Sequence, residues 1–144
     1  QSFKLYLVRH AEKQTDAGRD PHLTSIGHQR AHRLAEWLQN KSITDVWSSD
    51  YFRTRETARP FADSVGKQLK IYDPHELEAL AAQVLNAGNN AVIVGHSNTT
   101  PELARLLCNC DIEDMDEAEY DRLILVGVDG GDVNVTTLKQ PAAP

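Results

Sequence analysis

The sequence predicts an α/β fold: a three-layer α/β/α sandwich with a mostly parallel sheet and a C-terminal antiparallel hairpin. Apolar runs of strand length alternate with segments of helical period, which is typical of a parallel sheet covered by helices on both faces. The last two runs flank a turn with two glycines, which favours a hairpin. The 144 residues suffice for one core, so we expect a single domain over residues 1–144.

Six strands are expected. Four apolar or β-rich runs are each followed by a segment of helical period, and two further runs flank the turn Asp129-Gly130-Gly131-Asp132. The predicted strands cover residues 3–8, 45–48, 68–72, 91–95, 123–128 and 133–138.

The first two predicted helices follow the first two strands. Thr24 or Ser25 is suited to cap the first helix. The second covers about residues 52–65, where Pro60 should kink or restart it. The buried stripe of the first helix is expected to be Ala31, Leu34, Ala35 and Leu38.

The third and fourth helices have clear start signals. Asp73, Pro74 and Glu76 fit the positions N-cap, N1 and N3 of the third helix. Thr99 or Thr100 opens the fourth helix, directly before a proline.

Composition and charge exclude several classes of protein. Fifteen Lys and Arg against 21 Asp and Glu give a formal charge of -6, which is the wrong sign for a general nucleic-acid binder. No apolar run approaches the roughly 18 residues that a membrane-spanning helix needs. We therefore expect no nucleic-acid partner and no membrane insertion, and any phosphate site must be local.

The two cysteines and the first residue bear on the compartment. Cys108 and Cys110 are separated by one residue, so a disulfide would close a very small loop, and we expect free thiols. The chain begins at Gln1 rather than Met, which indicates a removed signal peptide or an artificial boundary. These observations alone leave the compartment open.

Charged and polar side chains follow three of the predicted strands. In open α/β sheets, ligands bind beyond the carboxyl ends of the strands. Arg9-His10 follows the first strand, Ser48-Ser49 leads from the second into Arg53, and His96-Ser97-Asn98 follows the fourth. The sequence thus predicts two histidines and two arginines on one edge of the sheet.

Four sequence blocks in order carry a resemblance to a known family. The blocks are Leu7-Val8-Arg9-His10-Ala11-Glu12, Leu23-Thr24-Ser25-Ile26-Gly27-His28-Gln29, Ser48-Ser49-Asp50-Tyr51-Phe52-Arg53-Thr54-Arg55-Glu56-Thr57-Ala58 and Val94-Gly95-His96-Ser97. Together they resemble the histidine phosphatase superfamily, which includes phosphoglycerate mutases and short phosphohistidine phosphatases. The resemblance implies a phosphoglycerate mutase-like fold. It also implies a phosphate pocket with no metal or other cofactor, in which His10 becomes phosphorylated.

The residues that match the family's pocket suit this chemistry on general grounds. The resemblance assigns Arg9, Arg53 and His96 to the pocket beside His10. A neutral imidazole is a usable nucleophile near neutral pH, and guanidinium groups bind phosphoryl oxygens in a fork. Phosphoryl transfer needs mainly in-line positioning and charge stabilisation. Further phosphate donors are expected from Ser97 and Ser48, although both residue types also form caps and turns.

The acid that protonates the leaving group is not singled out by the motifs. In many family members it is a carboxylate, and the segment after the third strand offers Asp73, Glu76 and Glu78. We expect Glu76 to be the acid, although it also fits a capping box. Glu12 is a fourth candidate. Residues 118–121 are expected to border the entrance, because they lie between the fourth helix and the hairpin.

The predicted function is a metal-independent phosphatase that hydrolyses a phosphomonoester or a phosphohistidine through a phosphohistidine intermediate on His10. The alternative is a non-catalytic module on the same fold that binds phosphate or a phosphoprotein. The expected partner is a phosphorylated substrate, either a small molecule or a phosphoprotein. The chain resembles short family members with the runs Arg9-His10-Ala11-Glu12-Lys13 and Tyr120-Asp121-Arg122-Leu123, many of which are exported. With Gln1 in place of Met, this resemblance leads us to expect an exported, periplasmic protein, with the cytoplasm as the alternative.

Overall fold

The computed structural model describes residues 1–143, which contain six strands and four α-helices. The strands are β1 (Ser2–Arg9), β2 (Asp45–Ser49), β3 (Leu69–Tyr72), β4 (Ala91–Gly95), β5 (Arg122–Asp129) and β6 (Asp132–Lys139). The helices are α1 (Ser25–Leu38), α2 (Phe52–Ser64), α3 (Leu77–Ala87) and α4 (Thr99–Cys108).

All six strands form one sheet in the order β3-β2-β4-β1-β5-β6. The pairs β3-β2, β2-β4 and β4-β1 are parallel, whereas β5 pairs antiparallel with β1 and with β6. This arrangement confirms the predicted α/β fold, including the C-terminal hairpin.

The sheet separates two hydrophobic cores. Side chains alternate between the faces of a strand, so Leu5 and Leu7 of β1 belong to one core and Tyr6 and Val8 to the other. Helices α3 and α4 cover the first core, and α1 and α2 cover the second. The predicted stripe of α1 is buried as expected, and the Thr24 side chain caps this helix by accepting from the Gly27 amide.

The start of α3 differs from the prediction. The helix begins at Leu77, and Glu76 at its N-cap makes no side-chain capping bond. The Asp73 carboxylate instead accepts from the amide of His75, 2.9 Å away, and closes a turn before the helix. The predicted capping box is therefore wrong, because the aspartate satisfies the turn and not the helix end.

Pro60 does not restart α2, which is continuous from Phe52 to Ser64. Val65, predicted as part of the helix, is its C-cap. No helix among the described residues is long and apolar enough to cross a membrane.

The free thiols predicted at Cys108 and Cys110 are wrong, because the two sulfurs form a disulfide. Asn109 between them has a φ of 51°, in the left-handed region that asparagine tolerates, and it ends α4. The left-handed conformation of Asn109 turns the chain so that the Cα atoms of Cys108 and Cys110 lie 5.2 Å apart, within the range of ordinary disulfides. The small loop therefore does not prevent the bond.

Candidate active site

The ends of β1 and β4 bring two histidines together. Arg9 and Gly95 are partners in the parallel register, and the amide of His10 donates to the Gly95 carbonyl at 2.9 Å. The rings of His10 and His96, one residue beyond these partners, lie with their centroids 5.6 Å apart. The predicted meeting of strand ends is thus present in the fold.

A glycine is needed at position 95, at the end of β4, because two hydroxyl groups lie close to its backbone. A Cβ at this position would lie 2.8 Å from Tyr72 Oη and 2.9 Å from Thr99 Oγ1. Thr99 Oγ1 also accepts from the amide of His96, so it positions the histidine that follows. A larger residue at 95 would displace the contacts that set the position of His96.

A carbonyl group fixes the tautomer of His10. Nδ1 lies 2.8 Å from the Ala11 carbonyl oxygen, which can only accept, so we assign the ring hydrogen to Nδ1. The Ala11 amide is held in turn by the Thr57 hydroxyl at 2.9 Å. The lone pair is therefore on Nε2, the nitrogen that would attack phosphorus.

Both histidines are held in the neutral form. Burial lowers the pKa of His10 to about 3, and the positive charges of Arg9 and Arg53 act in the same direction. Burial also lowers the pKa of His96 to about 4, again with help from the two arginines. A neutral His10 is a nucleophile throughout the neutral pH range.

Main-chain carbonyls hold the guanidinium of Arg9. Its Nη1 lies 2.8 Å from the carbonyl oxygens of Glu117 and Glu119, and the ring of Tyr120 packs 4.0 Å from its central carbon. Nη2 is 3.6 Å from the Glu117 carboxylate, and the Arg9 side chain is 2% exposed. The segment before β5 therefore borders the site, as predicted.

Arg53 reaches the site from the first turn of α2 and is held more loosely. Its Nη1 is 3.5 Å from the Arg19 carbonyl and 3.9 Å from the Asp20 carboxylate. Its guanidinium lies over the Tyr51 ring at 4.6 Å, and 16% of its side chain is exposed. This arginine retains more freedom to adjust to a ligand.

Two nitrogens in the site are buried without a hydrogen-bond partner. Within residues 1–143, four buried side-chain nitrogen or oxygen atoms lack a partner, and two of them are Nε of Arg9 and Nε of Arg53. Buried polar atoms are nearly always bonded, so such exceptions need an explanation. Nε and one Nη of a guanidinium form the fork that binds two phosphoryl oxygens. Each arginine thus has one fork donor that no group within residues 1–143 occupies.

A cavity of about 190 Å³ adjoins Arg53 and His96. A larger cavity, about 710 Å³, lies against β5 and β6 and is lined by none of the four predicted pocket residues. The smaller cavity is lined by Tyr51, Arg53, Pro74, His75, His96, Asn98 and Thr99. Its lining adds His75 to the residues that the sequence had singled out.

The two serines predicted as phosphate donors are placed differently. Ser48 is fully buried and its hydroxyl donates to the Ser49 carbonyl at 2.8 Å, so the structure does not bring it to the cluster. The Ser49 hydroxyl lies 2.8 Å from His96 Nε2. Ser97 Oγ lies near Arg9, but it donates to the Glu117 carboxylate at 2.9 Å.

None of the four candidate acids lines the cavity beside His96. Glu12 forms a double hydrogen bond with Arg30 at 2.8 and 2.9 Å, and this partner lowers the pKa of Glu12 against the opposing effect of burial. Glu76 and Glu78 line a separate cavity of about 380 Å³. The hydrogen bond from the amide of His75 lowers the pKa of Asp73, which favours its ionised form.

Sequence reasoning did not assign roles to Ser49, Glu117 or His75, and it placed Tyr120 only within a segment that borders the pocket entrance. Ser49 follows from strand alternation, because adjacent residues Ser48 and Ser49 must face opposite sides of the sheet. The other three lie in connections, where no periodicity fixes the direction of a side chain.

Comparison with known proteins identifies relatives of the chain. The family model described as histidine phosphatase superfamily, branch 1, matches residues 5–81. A protein named probable phosphoglycerate mutase GpmB from Yersinia pestis (strain Pestoides F) is 40% identical over 78 residues, 50% of this chain and 36% of that protein. A protein of the same name from Yersinia pseudotuberculosis gives the same values. The match thus spans little more than a third of these curated relatives.

Solved structures with the same fold cover nearly the whole chain. The protein histidine phosphatase SixA complexed with tungstate has a TM-score of 0.75 and 19% identity, covering 95% of this chain and 97% of that one. The alpha-ribazole phosphatase from Shigella flexneri has a TM-score of 0.79 and 16% identity, with 96% of both chains covered. At these identities the likeness shows the fold.

Proposed function

The chain belongs to branch 1 of the histidine phosphatase superfamily, and on that premise we propose that it is a metal-independent phosphatase with His10 as the nucleophile. The substrate is a phosphomonoester or a phosphohistidine, carried by a small molecule or a protein. The observation that carries this proposal is the pair of buried, unpartnered Nε atoms of Arg9 and Arg53 beside two neutral histidines.

The first step transfers the phosphoryl group to His10. Nε2 of His10 attacks phosphorus, the bond to the leaving oxygen or nitrogen breaks, and its electron pair leaves with that atom. The forks of Arg9 and Arg53 stay charged while negative charge redistributes over the phosphoryl oxygens. His96 supplies a further contact to the same group. Because Nδ1 of His10 donates to the Ala11 carbonyl, the positive charge that forms on the ring is partly stabilised.

The second step returns the enzyme to its starting state. Water attacks phosphorus, the N–P bond breaks, and the electron pair returns to Nε2 of His10. Inorganic phosphate leaves, and release of this product separates a phosphatase from a mutase, which returns the group to a second acceptor. Two arginines supply the positive charge that a metal ion supplies in other phosphoryl-transfer sites.

The experiment that tests this proposal traps the intermediate in a buffer that contains EDTA. A radiolabelled monoester is quenched early, and we expect one phosphoryl group per chain on a histidine, stable to alkali and labile to acid. His10→Ala should remove label and turnover, whereas His32→Ala, an exposed histidine on α1, should keep both.

Three outcomes would contradict the proposal. Turnover that is lost in EDTA and restored by zinc or magnesium indicates a metal enzyme. Label that persists in His10→Ala assigns the nucleophile elsewhere. Phosphate binding without turnover in the wild-type protein favours the non-catalytic module.

A further inference from the structure

The cavity beside His96 contains a third histidine that the mechanism above does not use. His75 lies in the turn between β3 and α3 and lines the cavity together with Arg53 and His96. Its side chain is 85% exposed, so it stands at the rim of this cavity, open to solvent.

Asp73 sets the orientation of this histidine. Its Oδ1 lies 3.1 Å from Nδ1 of His75 and also accepts from the His75 amide at 2.9 Å. A carboxylate can only accept, so the hydrogen of Nδ1 points at Asp73. The opposite ring nitrogen, Nε2, is left to face other groups.

The proposed reaction needs a proton donor beside the leaving group. An alkoxide is a poor leaving group, and a positioned acid contributes typically 10²- to 10⁴-fold to such a step. The four carboxyl groups offered by the sequence are bound elsewhere, form the turn or line another cavity. Tyr51 and His75 are the ionisable side chains in the cavity lining that have neither the fixed charge of Arg53 nor the deep burial of His96. Of these two groups, a phenol is a much weaker acid than an imidazolium, which favours His75 as the donor.

We propose that His75 is the acid that protonates the leaving group, with Asp73 as its positioning residue. This inference rests on the proposed function. The acid is the imidazolium form of His75, which carries a hydrogen on both ring nitrogens. As the P–O bond breaks, its electron pair goes to the leaving oxygen, and the proton on Nε2 of His75 moves to that oxygen to give the alcohol. The neutral His75 then takes a proton from the water that attacks phosphohistidine, so both groups end as they began.

The test compares substrates whose leaving groups differ in their need for a proton. An alkyl phosphate requires protonation of the leaving alkoxide, whereas 4-nitrophenolate leaves readily as an anion. We expect His75→Ala to lower kcat on the alkyl ester by about 100-fold or more and on 4-nitrophenyl phosphate by less than about tenfold. Asp73→Asn should show the same selectivity with a smaller loss on the alkyl ester. A merely structural role would lower both activities equally.

Matched variants complete the test. His32→Ala, which removes an exposed histidine from α1, should change neither activity. Glu117→Gln tests the carboxylate nearest Arg9 as a rival acid, and we expect no selective loss on the alkyl ester. Circular dichroism confirms that each variant is folded.

Three outcomes would contradict the proposed role of His75. No loss in His75→Ala, an equal loss on both esters, or a selective loss in Glu117→Gln overturns the role of His75. In all three cases a wild-type enzyme that is active and labelled on His10 leaves the proposed function intact. A wild-type protein that is inactive on both esters but hydrolyses phosphohistidine overturns the inference alone, and one that is inactive on all three substrates overturns the function and the inference together.

Discussion

Arg9 and Arg53 face the same pair of histidines, yet the protein holds them in opposite ways. Arg9 is the last residue of a central strand, is 2% exposed and donates to two carbonyls at 2.8 Å. Arg53 is in the first turn of a helix, and its nearest acceptors are 3.5 and 3.9 Å away. In the proposed function, Arg9 is therefore a preorganised phosphate clamp, and Arg53 is one that has to close on the ligand.

Because the two arginines are held differently, substitutions at Arg9 and Arg53 should differ in their effects on stability and on ligand binding. Arg9 ties the segment before β5 to the sheet, so a change there affects both the phosphate fork and the local fold. Arg53 makes no hydrogen bond shorter than 3.5 Å within the described residues, so a change there should affect mainly the ligand.

The largest effect is expected for Arg9→Lys. Lysine keeps the charge but cannot form a fork to phosphate while also donating to the carbonyls of Glu117 and Glu119. A charge-assisted hydrogen bond contributes about 1.5–3 kcal/mol, so the loss of several should lower kcat/KM by about 100-fold or more and also lower Tm. Steady-state kinetics and thermal unfolding measure both, with Arg59→Lys, an exposed arginine on α2, as the control. An unchanged Tm would show that the carbonyl contacts contribute little.

A smaller effect is expected for Arg53→Lys. One bidentate contact to phosphate is lost, which should lower kcat/KM by about tenfold or more, while Tm stays close to the wild-type value. The same Arg59→Lys control applies. A fall in Tm as large as that of Arg9→Lys would remove the distinction between the two clamps, and unchanged kinetics would place Arg53 outside the pocket.

The two histidines should make the stability of the fold depend on pH. Their pKa values are about 3 and 4 in the folded protein and near 6.5 when unfolded, so below pH 6.5 the unfolded chain binds more protons. The free energy of unfolding should therefore fall as the pH drops from 6.5 towards 4, by up to about 1.4 kcal/mol per pH unit for each histidine.

Urea unfolding between pH 7.5 and 4.5 measures this dependence. His10→Gln and His96→Gln should each flatten the curve, because glutamine does not titrate. Inorganic phosphate should also flatten it, since a bound anion stabilises the protonated imidazoles. A wild-type curve that is level between pH 6.5 and 4.5 would contradict the cause given for the lowered pKa values.

The sheet and the meeting of its strand ends were predictable because strong periodic signals determine them. Buried strands end where the apolar runs end, so the positions of Arg9, His10 and His96 follow from the sequence. The resemblance to the family assigned their roles, and the matching family model covers Arg9, His10 and Arg53.

The rim of the site was not predictable by the same means. The turn at Asp73 looked like a helix start because Asp, Pro and Glu suit both structures, and only the tertiary fold selects between them. The contact between Glu117 and Arg9 spans more than a hundred residues and depends on the path of an irregular segment. The disulfide depends on a single left-handed residue, Asn109.

The smallest effect on the kinetics is expected for a change of Glu117, the exposed carboxylate beside Arg9. The Glu117 carboxylate lies 3.6 Å from Nη2 of Arg9, but it is 83% exposed. It also accepts from Ser97 at 2.9 Å, so a phosphate bound as proposed would have to compete with this carboxylate for two donors. Because exposed charges interact by only about 0–1 kcal/mol, Glu117→Gln should lower KM about twofold and leave kcat close to the wild-type value.

Salt and a neighbouring carboxylate test whether this effect is electrostatic. Raising the salt concentration to about 1 M shortens the Debye length to about 3 Å, so the difference in KM should shrink. Glu113→Gln, a change of the same charge in the same segment, removes a carboxylate that makes no ion pair within residues 1–143 and should leave KM unchanged. If both variants lower KM equally, the cause is the charge of the whole segment and not the contact with Arg9. A higher KM in Glu117→Gln would show that the Glu117 carboxylate helps to position Arg9. Its contribution to ordering the Arg9 side chain would then exceed the effect of its competition with the ligand.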